Sequence, residues 1–211
     1  MSGHAIRICV ATFTLALVLA VMGEEPALAP VMVDNPAYES WAAFAPGTFV
    51  KYSTTYDPAP EGEGAAVEST TTYTLKEVTE DKVEIAVSTV VTLASGESVA
   101  RTPRSIEYPA QIEEPAETPK PVETGEATLD VGDREIDTTW TRTVTTEGTT
   151  TVTTTVWTSD AVPGGTVKSV VERKDKDTTT TETMTVIDYK VVAQEPIDDI
   201  EPIDEIEPPI E

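Results

Sequence analysis

The sequence predicts a mainly β chain: a single curved antiparallel meander sheet, half-barrel-like, with at most one or two short helices. Three observations carry that expectation. The stretch from Glu135 to Thr158, EIDTTWTRTVTTEGTTTVTTTVWT, alternates apolar and polar positions, and period two is the signature of a half-buried strand. Threonine fills most of its remaining positions; it is β-branched, stiff at its first torsion and tolerant of water on a pleated surface. Turn signals recur between such runs, at Gly96-Glu97, Gly132-Asp133, Glu147-Gly148 and Pro163-Gly164-Gly165. Their spacing suits a sheet of roughly seven to ten strands.

Residues 1–29 read as a signal peptide. Arg7 precedes an apolar run from Ile8 to Met22, shorter than the ~20 residues of a comfortable membrane span. Cleavage after Gly23 competes with cleavage after Ala29, where Pro30 hinders it. Cys9 lies too early to be a lipid-modified cysteine at a cleavage site. No second apolar run of spanning length follows. The expectation is therefore an exported chain, periplasmic or extracellular, with no membrane span after cleavage.

Cys9 and His4 are the only cysteine and histidine, and both fall in that segment. A chain without them forms no disulfide, no Ser-His-Asp or Cys-His arrangement and no zinc site built on His or Cys. The formal charge of −24 repels nucleic acid and anionic lipid headgroups.

In chain order, residues 30–39 read as a proline-rich linker and residues 40–193 as one antiparallel β domain. Glu39 to Ala45 is the helical stretch, with Trp41 and Phe44 at helical spacing, either an aromatic plug over a cavity or ordinary core. Pro46-Gly47 turns the chain into a strand from Thr48 to Tyr56. DPAPEGEGAA is a loop by composition. Tyr73, Leu75, Val83, Ile85 and Val87 are all odd-numbered, and a three-residue Thr79-Glu80-Asp81 loop keeps them on one face. SVARTPRSIEY is a weaker strand broken by Pro103, which suggests a sheet edge. Residues 109–126, proline-rich and acidic, read as a surface excursion or linker. In the central hairpin, a Thr146-Glu147-Gly148 loop would pair even positions with even and place Trp140, Val144, Val152 and Val156 together. A strand from Val167 to Val171, a polar turn at Lys174-Asp175-Lys176-Asp177 and a last strand from Thr178 to Val192 complete the domain. Residues 194–211 carry EPIDDIEPIDEIEPPIE, whose isoleucines recur every third position. This tail reads as a disordered acidic extension, or as a docking strip that orders on a partner.

Carboxylate pairs such as Asp175/Asp177 and Asp198/Asp199 arise here by composition, and nothing fixes a pair at the separation glycoside hydrolysis needs. No D-x-D-x-D-G calcium loop and no phosphate-binding glycine loop is present. Ser159 has no histidine to activate it. A carboxylate-based hydrolase ranks third among functions, the expectation is a non-enzyme, and no metal or other cofactor is expected.

WAAFAPGTFVKY, TYTLKEVTEDKVEI and the run WTSDAVPGGTVK from Trp157 to Lys168 together resemble secreted β-domain proteins of planctomycete-type bacteria. Those are similar to the LolA/LolB-like lipoprotein-carrier superfamily. The resemblance implies a curved antiparallel sheet wrapped around a helical plug, and defines no ligand residues. Two functions follow as expectations. In the first, the protein is a non-catalytic exported binder. It holds an apolar or lipid-like ligand on a concave face of Trp140, Val144, Val152, Val156, Tyr73, Leu75 and Ile85, plugged by Trp41 and Phe44. In the second, it is a structural or interaction protein of the cell envelope. It contacts an envelope partner through the acidic tail and the threonine-rich surface.

Overall fold

The computed structural model describes residues 30–59, 61–62, 64–115, 119–176 and 178–193. The expected signal segment and acidic tail lie outside them. The expected fold class holds: the chain is mainly β, with one helix and every strand pairing antiparallel.

Two meanders build the main sheet. The first comprises β2 (Phe49–Asp57), β3 (Ala66–Val78) and β4 (Lys82–Leu93), with β5 (Ser98–Ala100) and β6 (Arg104–Pro109) laid one after the other along the outer edge of β4. The second runs β8 (Glu123–Val131), β9 (Arg134–Glu147), β10 (Thr150–Thr158), β11 (Thr166–Asp175) and β12 (Thr178–Lys190). β2 pairs with β12, joining the meanders through their first and last strands into ten strands that do not close into a barrel. A separate two-stranded sheet pairs β1 (Met32–Asp34) with β7 (Gln111–Glu113).

That small sheet corrects two expectations. Residues 30–39 are not an extended linker, because they supply β1 and the start of α1 (Pro36–Ala42). Asn35 is the cause. Its Oδ1 accepts from the Ala37 amide at 3.0 Å, an N-cap completed by Pro36 in the first turn. Its Nδ2 donates to the Pro109 carbonyl at 2.7 Å, and its backbone N–H to the Ala110 carbonyl at 2.8 Å. The helix therefore starts three residues before the expected Glu39. Residues 109–126 are likewise no simple excursion, since β7 and the first part of β8 fall within them.

One face of the first meander is the core. Val50 and Tyr52 of β2, Leu75 of β3, and Val83, Ile85 and Val87 of β4 are buried there by strict alternation. Ile106 and Tyr108 of β6 and Val186 of β12 extend the same face. Trp41 of α1, together with Val162 and Pro163 from the β10–β11 connection, covers it. Each fully buried aliphatic side chain here contributes about 1.5–3 kcal/mol relative to exposure. Gly164 makes the cover fit. Its φ is +79°, and a Cβ there would stand 3.2 Å from the Trp41 ring.

The odd-numbered face of β3 and β4 forms as expected, but by a different route. Val78 opposes Val83, which pairs even with odd, and a bulge between Leu75 and Glu77 restores Leu75 to Ile85 and Tyr73 to Val87.

The central hairpin corrects the expected register. Thr150 opposes Glu147, so the turn is Gly148-Thr149 rather than Thr146-Glu147-Gly148. Even now pairs with odd: Trp140 lies opposite Trp157, Val144 opposite Thr153, Val152 opposite Thr145 and Val156 opposite Thr141. Directly opposed residues share a face, so Trp140 and Val144 lie on one side of the sheet and Val152 and Val156 on the other. Gly148 takes a positive φ of 63° and Thr149 does not, the pattern of a two-residue II′ turn whose twist matches the strands.

Candidate functional site

The nine residues expected to form one ligand face and its plug occupy three places. Tyr73, Leu75 and Ile85 come together beneath α1, with Trp41 and Phe44 packed on them. Leu75 and Ile85 are 0% exposed and Trp41 4%, so this patch is filled by the protein's own side chains. Val152 and Val156 lie on the same face but on β10, separated from β2 by β12 and β11, and both are half-buried. Trp140 and Val144 point to the opposite face. There the Trp140 ring lies over Gly125, where a Cβ would come within 2.7 Å of its Nε1, and the Arg142 guanidinium stacks on it at 5.7 Å. Its cross-strand partner Trp157 carries Lys168 at 5.3 Å.

The α1-bearing face changes character along β2, β3 and β4. Next to the filled patch, Tyr52 and Tyr73 meet edge to face at 5.7 Å. Tyr52 donates its hydroxyl to the Thr166 carbonyl at 2.9 Å, and burial pushes its phenol well above the ordinary tyrosine range. Burial also raises Tyr73, reinforced by Tyr108, while the positive charge of Arg104 pulls it down. Beyond the tyrosines the face opens into a cleft of about 450 Å3. Half-buried Tyr56 supplies its main apolar wall, Val87 and Val91 lie nearly buried at its floor, and Ser69 and Thr89 supply its hydroxyls. The Thr89 and Thr71 hydroxyls hydrogen-bond at 3.1 Å. Arg101 and Arg104 form the rim.

The two arginines share this cleft because of the break between β5 and β6. The Arg101 amide donates to the Thr89 carbonyl at 2.8 Å, and Arg104 opposes Val87. Thr89 and Val87 are two residues apart and point the same way. Arg101 and Arg104 are three apart and would point to opposite faces of an unbroken strand. Pro103 interrupts the pairing, the extra residue is absorbed at 102–103, and both guanidiniums reach one side.

Electrostatically the cleft stands apart from the rest of the molecule. Acidic residues outnumber basic ones 38 to 14, yet none lines this cleft. Four other clefts each present at least two carboxylates, including one of about 780 Å3 with Glu126, Asp137 and Asp160. Among the described residues the ion pairs are Lys82–Glu107 and Arg142–Glu123; neither involves Arg101 or Arg104. No group of three His, Cys, Asp or Glu among the described residues is placed to hold a metal ion. Arginine stays protonated, so the rim carries fixed positive charge and is suited to anions rather than to proton transfer. Sequence reasoning finds the break at Pro103 but misses Arg101, Arg104 and Tyr56 as site residues; the available signal is the RTPR run itself.

No protein-family description matches the chain, and no curated protein matches it. Among solved structures, it is similar to a protein of Parabacteroides distasonis described provisionally as a lipoprotein. The identity is 11% and the TM-score 0.42, over 73% of this chain and 99% of that one. At that score the likeness decides neither fold nor function. No helix of the described residues is long and apolar enough to cross a membrane.

Proposed function

We propose that this chain is a non-catalytic exported β-sheet protein that binds a lipid-like ligand on the face bearing α1, in the manner of the lipoprotein-carrier proteins its sequence resembles. The binding place is not the expected seven-residue face, since that set is divided between two sides of the sheet and its buried part is filled. It is the cleft at the open end of β2, β3 and β4. One observation carries this reading: an acid-free cleft, with Tyr56 at its side and the nearly buried Val87 and Val91 at its floor, opens at the end of a well-packed core. Its volume of about 450 Å3 falls within the ~300–1,000 Å3 of small-ligand sites and suits one chain better than a diacyl lipid. Export rests on the N-terminal apolar segment.

Organic extraction of protein purified from its native host, followed by mass spectrometry, tests the proposal. A stoichiometric co-purifying amphiphile is the expected result. Protein that carries none and fails to bind a fluorescent single-chain lipid probe would overturn it.

The filled patch beneath α1 also favours a second reading, a structural or interaction protein of the envelope. In that case deleting 195–211 would abolish capture of an envelope partner without loss of folding.

A further inference from the structure

We infer that the cleft takes an anionic amphiphile, its acidic head held by Arg101 and Arg104 and its apolar body lying against Val87, Val91 and Tyr56. The inference rests on the binding reading above and names the ligand class that reading leaves open. Three observations lead to it. First, the chain is strongly acidic, so solubility alone would populate every surface recess with carboxylates, as it does in the four other clefts described above. A recess with two arginines and no acid departs from that pattern. Second, neither guanidinium is engaged in an ion pair among the described residues, although the chain has carboxylates in excess. Each guanidinium's planar fork is therefore not committed to a carboxylate among the described residues, and such a fork matches a carboxylate or a phosphate with two parallel hydrogen bonds. Third, the backbone break at Pro103 brings both forks to one side, opposite Val87 and Thr89 of a single strand.

The apolar walls argue against a small inorganic anion as the whole ligand. Val91 is 5% exposed and Val87 3%, so the cleft floor is aliphatic but nearly covered, and the half-buried Tyr56 ring supplies most of the apolar contact beside the hydroxyls of Ser69 and Thr89. A ligand matching both halves has one charged end and one short hydrocarbon chain. Carboxylate and phosphate heads share the required oxyanion chemistry.

Calorimetry on the purified protein separates these possibilities, using decanoate, decyl phosphate and decanol as probes. Decanoate or decyl phosphate is expected to bind at least about tenfold more tightly than decanol, the difference expected of a charge-assisted hydrogen bond. The tighter of the two anions names the head group. Arg101→Gln and Arg104→Gln are each expected to weaken the anion about tenfold or more and to leave decanol unchanged. Arg104→Lys keeps the charge but loses the fork, so it should recover only part of the affinity. Arg173→Gln, in the neighbouring cleft beside Glu182, should change nothing. Decanol binding as tightly as both anions, or both glutamine variants binding decanoate and decyl phosphate like wild type, overturns the anionic head while the binding reading stands. No binding of any of the three probes overturns both.

Discussion

The α1-bearing face holds two regions made by the same three strands. Beneath the helix, Leu75, Val83 and Ile85 are fully buried under Trp41. A few residues along, Val87 and Val91 continue the same alternation and are nearly as buried, but they form the floor of a cleft that half-buried Tyr56 borders and Arg101 and Arg104 rim. Strand periodicity is identical in both, so it decides only which way side chains point. What lies across the face decides whether that surface becomes core or site. In one region a helix and the connection at 162–165 cover it; in the other an interrupted edge strand sets two arginines at the rim of a cleft.

The sharpest way to break this contrast is to empty the filled half. Leu75→Ala or Ile85→Ala should cost about 2–5 kcal/mol, the range for buried large-to-small changes. Urea denaturation measures it, and a cost below about 1 kcal/mol would mean the patch is not a packed core. Gly164→Ala attacks the cover instead of the floor. It forces a Cβ toward the Trp41 ring at a left-handed position, and about 1–3 kcal/mol of destabilisation is expected. Trp41→Ala in the same background should make the glycine change less costly, which a double-mutant cycle reads directly. Asn35→Ala removes the cap that places α1 and its bond to Pro109. A loss of about 1–2 kcal/mol is expected, in thermal or urea melts.

Tyr52 sits at the border between the two regions and gives a pH signature. Its folded-state pKa is raised above the ordinary value of 10.0, chiefly by burial. The folded state thus holds the phenolic proton more tightly than the unfolded chain does. That contribution is fully present below pH 10.0 and is lost as the pH rises above it. Stability should therefore fall as the pH rises above about 10, and Tyr52→Phe should flatten that fall. The same variant should cost about 1 kcal/mol at neutral pH, for the hydrogen bond to Thr166. At the open end the expected effects are smallest. Arg101→Gln and Arg104→Gln should each shift stability by no more than about 0.5 kcal/mol, since both side chains are exposed and form no ion pair among the described residues.

How much of this is legible in the sequence differs between elements. The strands are, because apolar residues at every second position over Lys82–Leu93 and from Glu135 to Thr158 suit a pleated, half-buried strand and would scatter around a helix. The shared face of β3 and β4 is legible too, because apolar residues on both strands must meet the core. A bulge at Lys76 absorbs the mismatch that the turn introduces. The central hairpin register is not. Threonine flanks Trp140, Val144, Val152 and Val156 and is equally at home on either face, so only the turn length decides, and one residue reverses it. The cap at Asn35-Pro36 is visible as sequence, but it sits in a proline-rich stretch whose composition reads as linker. The cleft is hidden for a more general reason: a parity argument ends at a break such as Pro103, and there the chain resets which residues face together.

Backbone amide NMR during a decanoate titration of the full chain tests the central claim most directly, because it reports both regions at once. The account predicts shifts concentrated at residues 87–91, residues 99–104 and Tyr56, with Leu75, Ile85 and Trp41 unmoved. Shifts centred on Trp41 and Leu75, or on Trp140 and Trp157 across the sheet, would contradict it.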